Sequence, residues 1–131
     1  SNMENFIQFI LDLVSDEFYQ YLSPVPVKYY FLNGGCLELA KVLKHYYPEG
    51  DYVINDRKDH IAFLYQKQVY DANGIAEESK WEIVHHLSEL EDYYGNKEIY
   101  FEHLLPHQAI LKEIDEIDAN IVKKMQKKIN K

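Results

Sequence analysis

The sequence predicts an α+β domain in which a helix that begins at the chain's only cysteine packs on a small antiparallel sheet, with helices at both ends of the chain. This prediction rests on three features. Apolar residues recur every three or four positions near both termini, which is typical of amphipathic helices. Short aromatic and β-branched runs in the middle of the chain are typical of strands. Hydrophobic residues make up 47% of the 131 residues, enough for the core of one domain.

Composition and charge narrow the class of protein. We expect one domain over residues 3–131, with Ser1 and Asn2 as an expression remnant before Met3. The net charge of −8 argues against a nucleic-acid partner. No apolar run approaches the roughly 20 residues of a membrane span, and Glu4 stands where a secretory signal would carry basic residues. One cysteine cannot form an internal disulfide or a thiolate zinc site. We therefore expect a cytoplasmic protein with no membrane partner, metal or cofactor.

The first third of the chain is predicted to be helical. An apolar stripe over residues 6–22 predicts a helix of about five turns. The prolines of SPVPV force an extended path and end this helix. A second helix is predicted from Gly34 to Tyr47, immediately before Pro48.

The middle of the chain is predicted to form the sheet. DYVIN, at 51–55, is one candidate strand, and HIAFLY and VYDA flank QKQ as a hairpin. HIAFLY is apolar on both faces, which is typical of a central strand. The DANG that follows supplies turn residues.

The register of this hairpin decides which polar side chains meet. A two-residue turn at Gln66 and Lys67 pairs His60 with Asn73. Because side chains alternate between the two faces of a strand, His60, Asp71 and Asn73 then share one face of the sheet. A two-residue turn shifted by one position keeps this shared face, whereas a three-residue turn moves Asp71 to the opposite face.

The last third is predicted to mix short elements with a long helix. Two capping-box patterns predict one broken helix or two short helices between Ser79 and Gly95, and residues 97–104 form a candidate strand. A helix is predicted from His107 to the C-terminus. Its nearly heptad stripe leaves either core contact or a homodimer seam open. The stripe consists of Ile110, Ile114, Ile117, Ile121, Met125 and Ile129.

Cys36, His60 and Asp71 have the clearest chemical rationale. The thiolate is the reactive form of cysteine, and the first turn of a helix favours an anion. The two preceding glycines let a substrate carbonyl approach the backbone, where the Cys36 N–H can bind a developing oxyanion. His60 is the candidate base and proton donor, and Asp71 is the candidate group that orients its ring.

GGCLELA followed by DHIAFLYQKQVYDANG resembles the papain-like superfamily of cysteine hydrolases and acyltransferases, including its transglutaminase-like and NlpC-type branches. The resemblance covers residues 33–74. It implies a papain-like core, with Cys36 as nucleophile, His60 as base and Asp71 as orienting acid. It also implies a cysteine peptidase, amidase or acyltransferase, whose substrate is a peptide or another small amide or thioester.

One departure from papain concerns the oxyanion hole. Papain has a glutamine several residues before its cysteine, and KYYFLN has none. Asn33 and Tyr30 are candidates for this position, although Asn33 is equally well placed to cap the helix. Asn73 is a further candidate for orienting the base.

Structural interpretations of the same residues stay open. A lone cysteine on a helix is commonly a core residue, and Asp71 before Asn73 suits an ordinary turn. The chain would then be a non-catalytic binding or regulatory module on the same fold, of phage or bacterial origin, or an interaction protein assembled through its terminal helices. The histidines lack the spacing of a metal site.

Overall fold

The computed structural model describes residues 2–22, 26–90 and 105–129. The helices lie at both ends of the chain and before the sheet: α1 (Asn2–Leu22), α2 (Val27–Asn33), α3 (Cys36–Tyr46) and α4 (His107–Ile129). The strands lie between α3 and α4: β1 (Asp51–Ile54), β2 (Ile61–Tyr65), β3 (Gln68–Asp71), β4 (Gly74–Ile75) and β5 (Glu82–Ile83).

The strands of the described residues all pair antiparallel in one sheet with the order β4-β3-β2-β1-β5. The central strand is β2, which is the strand that the sequence predicts to be covered on both faces. Helix α3 packs on β2, α1 packs on α2 and on the β3–β4 edge, and α4 packs on α3. The predicted α+β class, with a cysteine-bearing helix on a small antiparallel sheet and helices at both ends of the described chain, is therefore confirmed.

The hairpin between β2 and β3 has the predicted two-residue turn. Gln66 and Lys67 have φ angles of +48° and +68°, as a type I′ turn requires. Leu64 pairs with Val69, which is the register that places His60 and Asp71 on one face. The predicted register is confirmed.

Helix α2 was not predicted. Its first residue follows Pro26, whose extended backbone (φ −59°, ψ 141°) precedes the first turn. Val27, Tyr30 and Phe31 are buried at helical spacing, but seven residues offer a single apolar turn, too few to stand out from the proline-rich segment before them. The next helix begins at Cys36, close to the prediction.

The segment after β4 differs from its prediction. Ile54 pairs with Glu82 in the β1–β5 ladder, so the first half of the expected helical region contains a strand. Ser79 does not cap a helix, because its hydroxyl donates to Asp56 Oδ1 over 3.1 Å. Residues 88–90 are helical, while the rest of that prediction and the candidate strand at 97–104 lie outside the described residues.

The isoleucine stripe of α4 divides in two. Ile110 and Ile114 are buried in the main core and Ile117 packs against it, whereas Ile121 and Met125 are 51% and 58% exposed. The first half therefore faces the core, and the homodimer seam along the second half stays a prediction. Every helix in the described residues is too short or too polar to cross a bilayer.

Candidate active site

The cysteine lies at the N-terminus of a helix, which is the positive end of the helix dipole. Cys36 is the first residue of α3, after Gly35 at the cap position, and no side chain caps this end. The first turn therefore directs backbone N–H groups and a partial positive charge at whatever lies before it. Cys36 is 3% exposed and lies in a small core cluster beneath β1 and β2, with neighbours such as Ala40 and Ile61.

His60 and Asp71 form a direct side-chain pair. His60 is the last residue before β2, and Asp71 is the last residue of β3. The β2–β3 register places them diagonally on one face, and His60 Nε2 lies 3.0 Å from Asp71 Oδ2. Their side chains are 16% and 7% exposed, so the pair lies largely away from water.

The two oxygens of Asp71 have different partners. While Oδ2 contacts His60, Oδ1 accepts a hydrogen bond from the Asn73 N–H over 2.8 Å. One carboxylate thus makes both the turn contact and the histidine contact that the sequence left as alternatives. The turn holds the carboxylate in a fixed orientation toward His60.

Cys36 is the second group that acts on the His60 ring. Burial lowers the pKa of His60, but hydrogen bonds to Asp71 and Cys36 and the negative charges of both groups outweigh burial and raise that pKa from 6.5 to about 9. Because Nε2 is bonded to Asp71, Nδ1 is the nitrogen that remains for the thiol. Nδ1 is buried and has no hydrogen-bond partner among the described residues.

This order of contacts has a chemical consequence. The row Cys36–His60–Asp71 brings together a thiol, an imidazole and a carboxylate, the three group types that act as nucleophile, base and orienting acid in thiol-based catalysis. A His60 with a pKa near 9 is an imidazolium at neutral pH, and an imidazolium favours the anionic form of a neighbouring thiol and can donate a proton.

A groove of about 870 Å³ runs past the histidine and aspartate. Its walls come from the end of α2, the β1–β2 loop, the β3–β4 turn and residues 77–81. The Trp81 ring lies 6.1 Å from the His60 ring and forms part of one wall. Asp56, Asp59, Glu77 and Glu78 outnumber Arg57 and Lys80 along this lining. Of the predicted triad, His60 and Asp71 line the groove, whereas the buried Cys36 is not part of its lining.

The oxyanion candidates have other partners in the structure. Tyr30 is fully buried, and its hydroxyl both donates to Leu105 O over 3.3 Å and accepts from Leu105 N over 3.0 Å. Burial is the main reason that the pKa of Tyr30 is raised to about 12. The Asn33 amide donates to Tyr29 O over 3.1 Å, so it binds the end of α2 and does not cap α3. Asn33 and Asn73 both line the groove.

The glycine before the cysteine has a steric role that the sequence analysis did not predict. Gly35 is buried, and a Cβ at this position would overlap the Tyr30 ring. The missing side chain therefore makes room for Tyr30, and the expectation that the two glycines let a substrate carbonyl approach the backbone stays a prediction.

The sequence analysis did not select Asn55, which is buried and contributes to the groove wall. An asparagine directly after a strand is a turn signal, but the identity of its partners depends on the loop conformation. The described residues contain no group of three or more potential metal ligands, and the expected absence of a metal stays a prediction.

Comparison with known proteins gives one family. The family model described as "Phage YunG-like protein" matches residues 7–130. No curated protein and no solved structure matches the chain. The match spans Cys36, His60 and Asp71 and nearly the whole sequence, and the chain belongs to the Phage YunG-like protein family.

Proposed function

We propose that this protein is a cysteine hydrolase or acyltransferase with a papain-like core, which acts on an amide or thioester through Cys36, His60 and Asp71. The observation that carries the proposal is the buried His60–Asp71 contact of 3.0 Å beside a cysteine at a helix start. A core cysteine needs apolar neighbours only, whereas a buried histidine and carboxylate each lose hydration and need a compensating partner.

The proposed reaction begins with attack of the Cys36 thiolate on the substrate carbonyl carbon. The carbonyl π electrons move to oxygen, and the N–H groups of the first turn of α3 stabilise this oxyanion. As the intermediate collapses, the C–N or C–S bond breaks and the His60 imidazolium protonates the departing amine or thiolate. The products of this half-reaction are an acyl-cysteine thioester and neutral His60.

The second half-reaction removes the acyl group. His60 takes a proton from water or from an amine, which attacks the thioester carbonyl and expels the Cys36 thiolate. Water gives hydrolysis, and an amine gives acyl transfer. Asp71 holds the ring orientation in both halves and stabilises the imidazolium.

The second candidate is a non-catalytic binding module with the same fold. The observation that favours it is the 3% exposure of Cys36, because a nucleophile must reach its substrate. In the catalytic proposal the substrate enters from the groove and reaches the thiol past the His60 ring. The two candidates therefore differ in whether a small electrophile can reach Cys36 in the folded protein.

Alkylation by iodoacetamide tests this difference directly, because Cys36 is the only thiol in the chain. We expect rapid reaction of the native protein near pH 6, well below the thiol pKa of about 8.5. His60→Ala should move the reactivity profile towards that ordinary value. In the same protein an activated ester, p-nitrophenyl acetate, should acetylate Cys36, as mass spectrometry would show, and Cys36→Ser should abolish the adduct. A thiol that stays unreactive until the protein unfolds would refute the catalytic proposal and favour the binding module.

A further inference from the structure

Asn55 lies at the start of the loop that delivers His60 to the sheet. It follows β1 directly, and His60 ends the loop immediately before β2. Asn55 is 6% exposed, and together with Asp71 it makes up the buried polar residues of the described chain. A buried amide needs hydrogen-bond partners, so the partners of Asn55 indicate its role.

Both polar atoms of the Asn55 side chain form hydrogen bonds within its own loop. Its Oδ1 accepts hydrogen bonds from the Asp59 N–H over 3.0 Å and from the His60 N–H over 3.1 Å. Its Nδ2 donates to Asp59 Oδ1 over 2.7 Å. One amide group therefore binds the two residues that close the loop.

The Asn55 backbone adds a second set of bonds. Its N–H donates to His60 O over 3.1 Å, and its carbonyl accepts from the Lys58 N–H over 3.1 Å. Both backbone polar groups of His60 are thus bonded to Asn55. Lys58 has φ +59°, a left-handed conformation that is uncommon for a residue with a side chain and that these bonds help to hold.

The position of the His60 backbone controls a narrow geometric requirement. The His60 ring must contact Asp71 through Nε2, and in the proposed function Nδ1 must stay available to Cys36. A hydrogen bond of 3.0 Å is lost when its atoms separate by a further half ångström or so. A small displacement of the loop would therefore break the contact between His60 and Asp71 even if the sheet stayed intact.

We propose that Asn55 is a positioning residue, whose side-chain amide fixes the backbone of His60 so that the ring bridges Asp71 and Cys36. This inference rests on the proposed function of His60, which Asn55 would support from outside the triad. Asn55 acts through the loop and need not touch the substrate.

The loop permits a matched set of variants. Asn55→Ala removes all three side-chain bonds without changing charge. Asn55→Asp combined with Asp59→Asn exchanges the donor and the acceptor of the bond between these two side chains. An oxygen at position 55 can still accept from the backbone N–H groups of residues 59 and 60, and the net charge is unchanged. Val53→Ala, at a buried position in β1, lowers stability through a cavity while leaving every bond of Asn55 in place.

The measurement is the titration of the His60 ring by proton–carbon NMR, assigned with His60→Gln. The wild-type pKa should lie near 9. Asn55→Ala should lower it by about one unit or more, towards the ordinary 6.5, because the contacts that favour the imidazolium are lost. The exchanged pair should restore the wild-type pKa of His60. Val53→Ala should lower the melting temperature and leave the pKa of His60 unchanged.

Each other outcome has a definite meaning. A wild-type pKa near 9 that survives Asn55→Ala would overturn the positioning role alone. An equal fall of the His60 pKa in Val53→Ala would also overturn the positioning role, because the pKa would then depend on the general stability of the fold. A wild-type His60 that titrates at its ordinary value would overturn the proposed function and the positioning role together. If Asn55→Ala does not fold, the exchanged pair decides: wild-type titration supports the role, and a lowered pKa contradicts it.

Discussion

The raised pKa of His60 makes the stability of the fold depend on pH in a calculable way. Burial lowers this pKa, but Asp71 and Cys36 outweigh burial and raise it from 6.5 in the unfolded chain to about 9 in the fold. The folded state therefore binds the His60 proton more tightly. The stabilisation is fully present below about pH 6.5 and is lost as the pH rises through about 9. At about 1.4 kcal/mol for each unit of pKa, His60 should contribute about 3 kcal/mol that disappears across this window.

Urea unfolding of the wild type and His60→Gln at several pH values isolates this contribution. The difference between their free energies of unfolding should fall by about 3 kcal/mol between about pH 6 and pH 9.5, a range chosen to bracket the two pKa values. His85→Gln serves as the control, because His85 is exposed and its replacement should leave the wild-type pH dependence unchanged.

The same experiment in a Cys36→Ser background separates the two partners of His60. The hydrogen bond to Asp71 is the largest of the effects that raise the pKa, so part of the decline should remain when the thiol is gone. A difference between wild type and His60→Gln that is flat with pH would refute the reasoning, since it would mean that His60 binds its proton equally in both states. A decline of full size in the Cys36→Ser background would show that the thiol does not interact with the ring.

Two further predictions concern the groove and the turn before α3. The excess of carboxylates along the groove should make Cys36 react faster with a cationic methanethiosulfonate than with an anionic one, and the Glu77→Gln, Glu78→Gln double variant should lower the ratio of these two rates by about threefold at low salt. Glu116→Gln, at an exposed position on α4, should leave the ratio unchanged. Equal ratios in all three proteins would contradict the prediction. Gly35→Ala should lower the free energy of unfolding by about 1–3 kcal/mol, as for other overpacked cores, because the new methyl group overlaps the buried Tyr30 ring; urea unfolding checks this, and wild-type stability would show that the ring can move aside.

The sheet around His60 and Asp71 could be predicted because local signals agree there. Two turn residues between alternating aromatic and branched positions specify a hairpin and its register, and the register alone places His60 beside Asp71. The start of α3 was equally predictable, because two glycines precede a run of helix formers. In both places neighbouring residues in the sequence determine the geometry.

The remaining features depend on contacts between distant parts of the chain. Strand β5 has only two residues, and its pairing with β1 overrides the capping-box pattern around Ser79. Gly35 is required by the ring of Tyr30, which is in turn held by Leu105. Asn55 has ordinary turn composition, and its contact with His60 depends on the left-handed conformation of Lys58. No period or motif encodes these contacts.

The burial of Cys36 and its contact with His60 point in opposite directions, and their relative weight can be argued physically. Burial alone is common for cysteine and is compatible with an inert core thiol. An inert thiol, however, gives no reason to bury a histidine and an aspartate next to it, because each loses hydration on leaving water. An ion pair of thiolate and imidazolium, oriented by Asp71 and placed at the positive end of α3, gives all three groups a partner. The desolvation of His60 and Asp71 is therefore the physical ground on which we propose a reactive thiol despite the 3% exposure of Cys36.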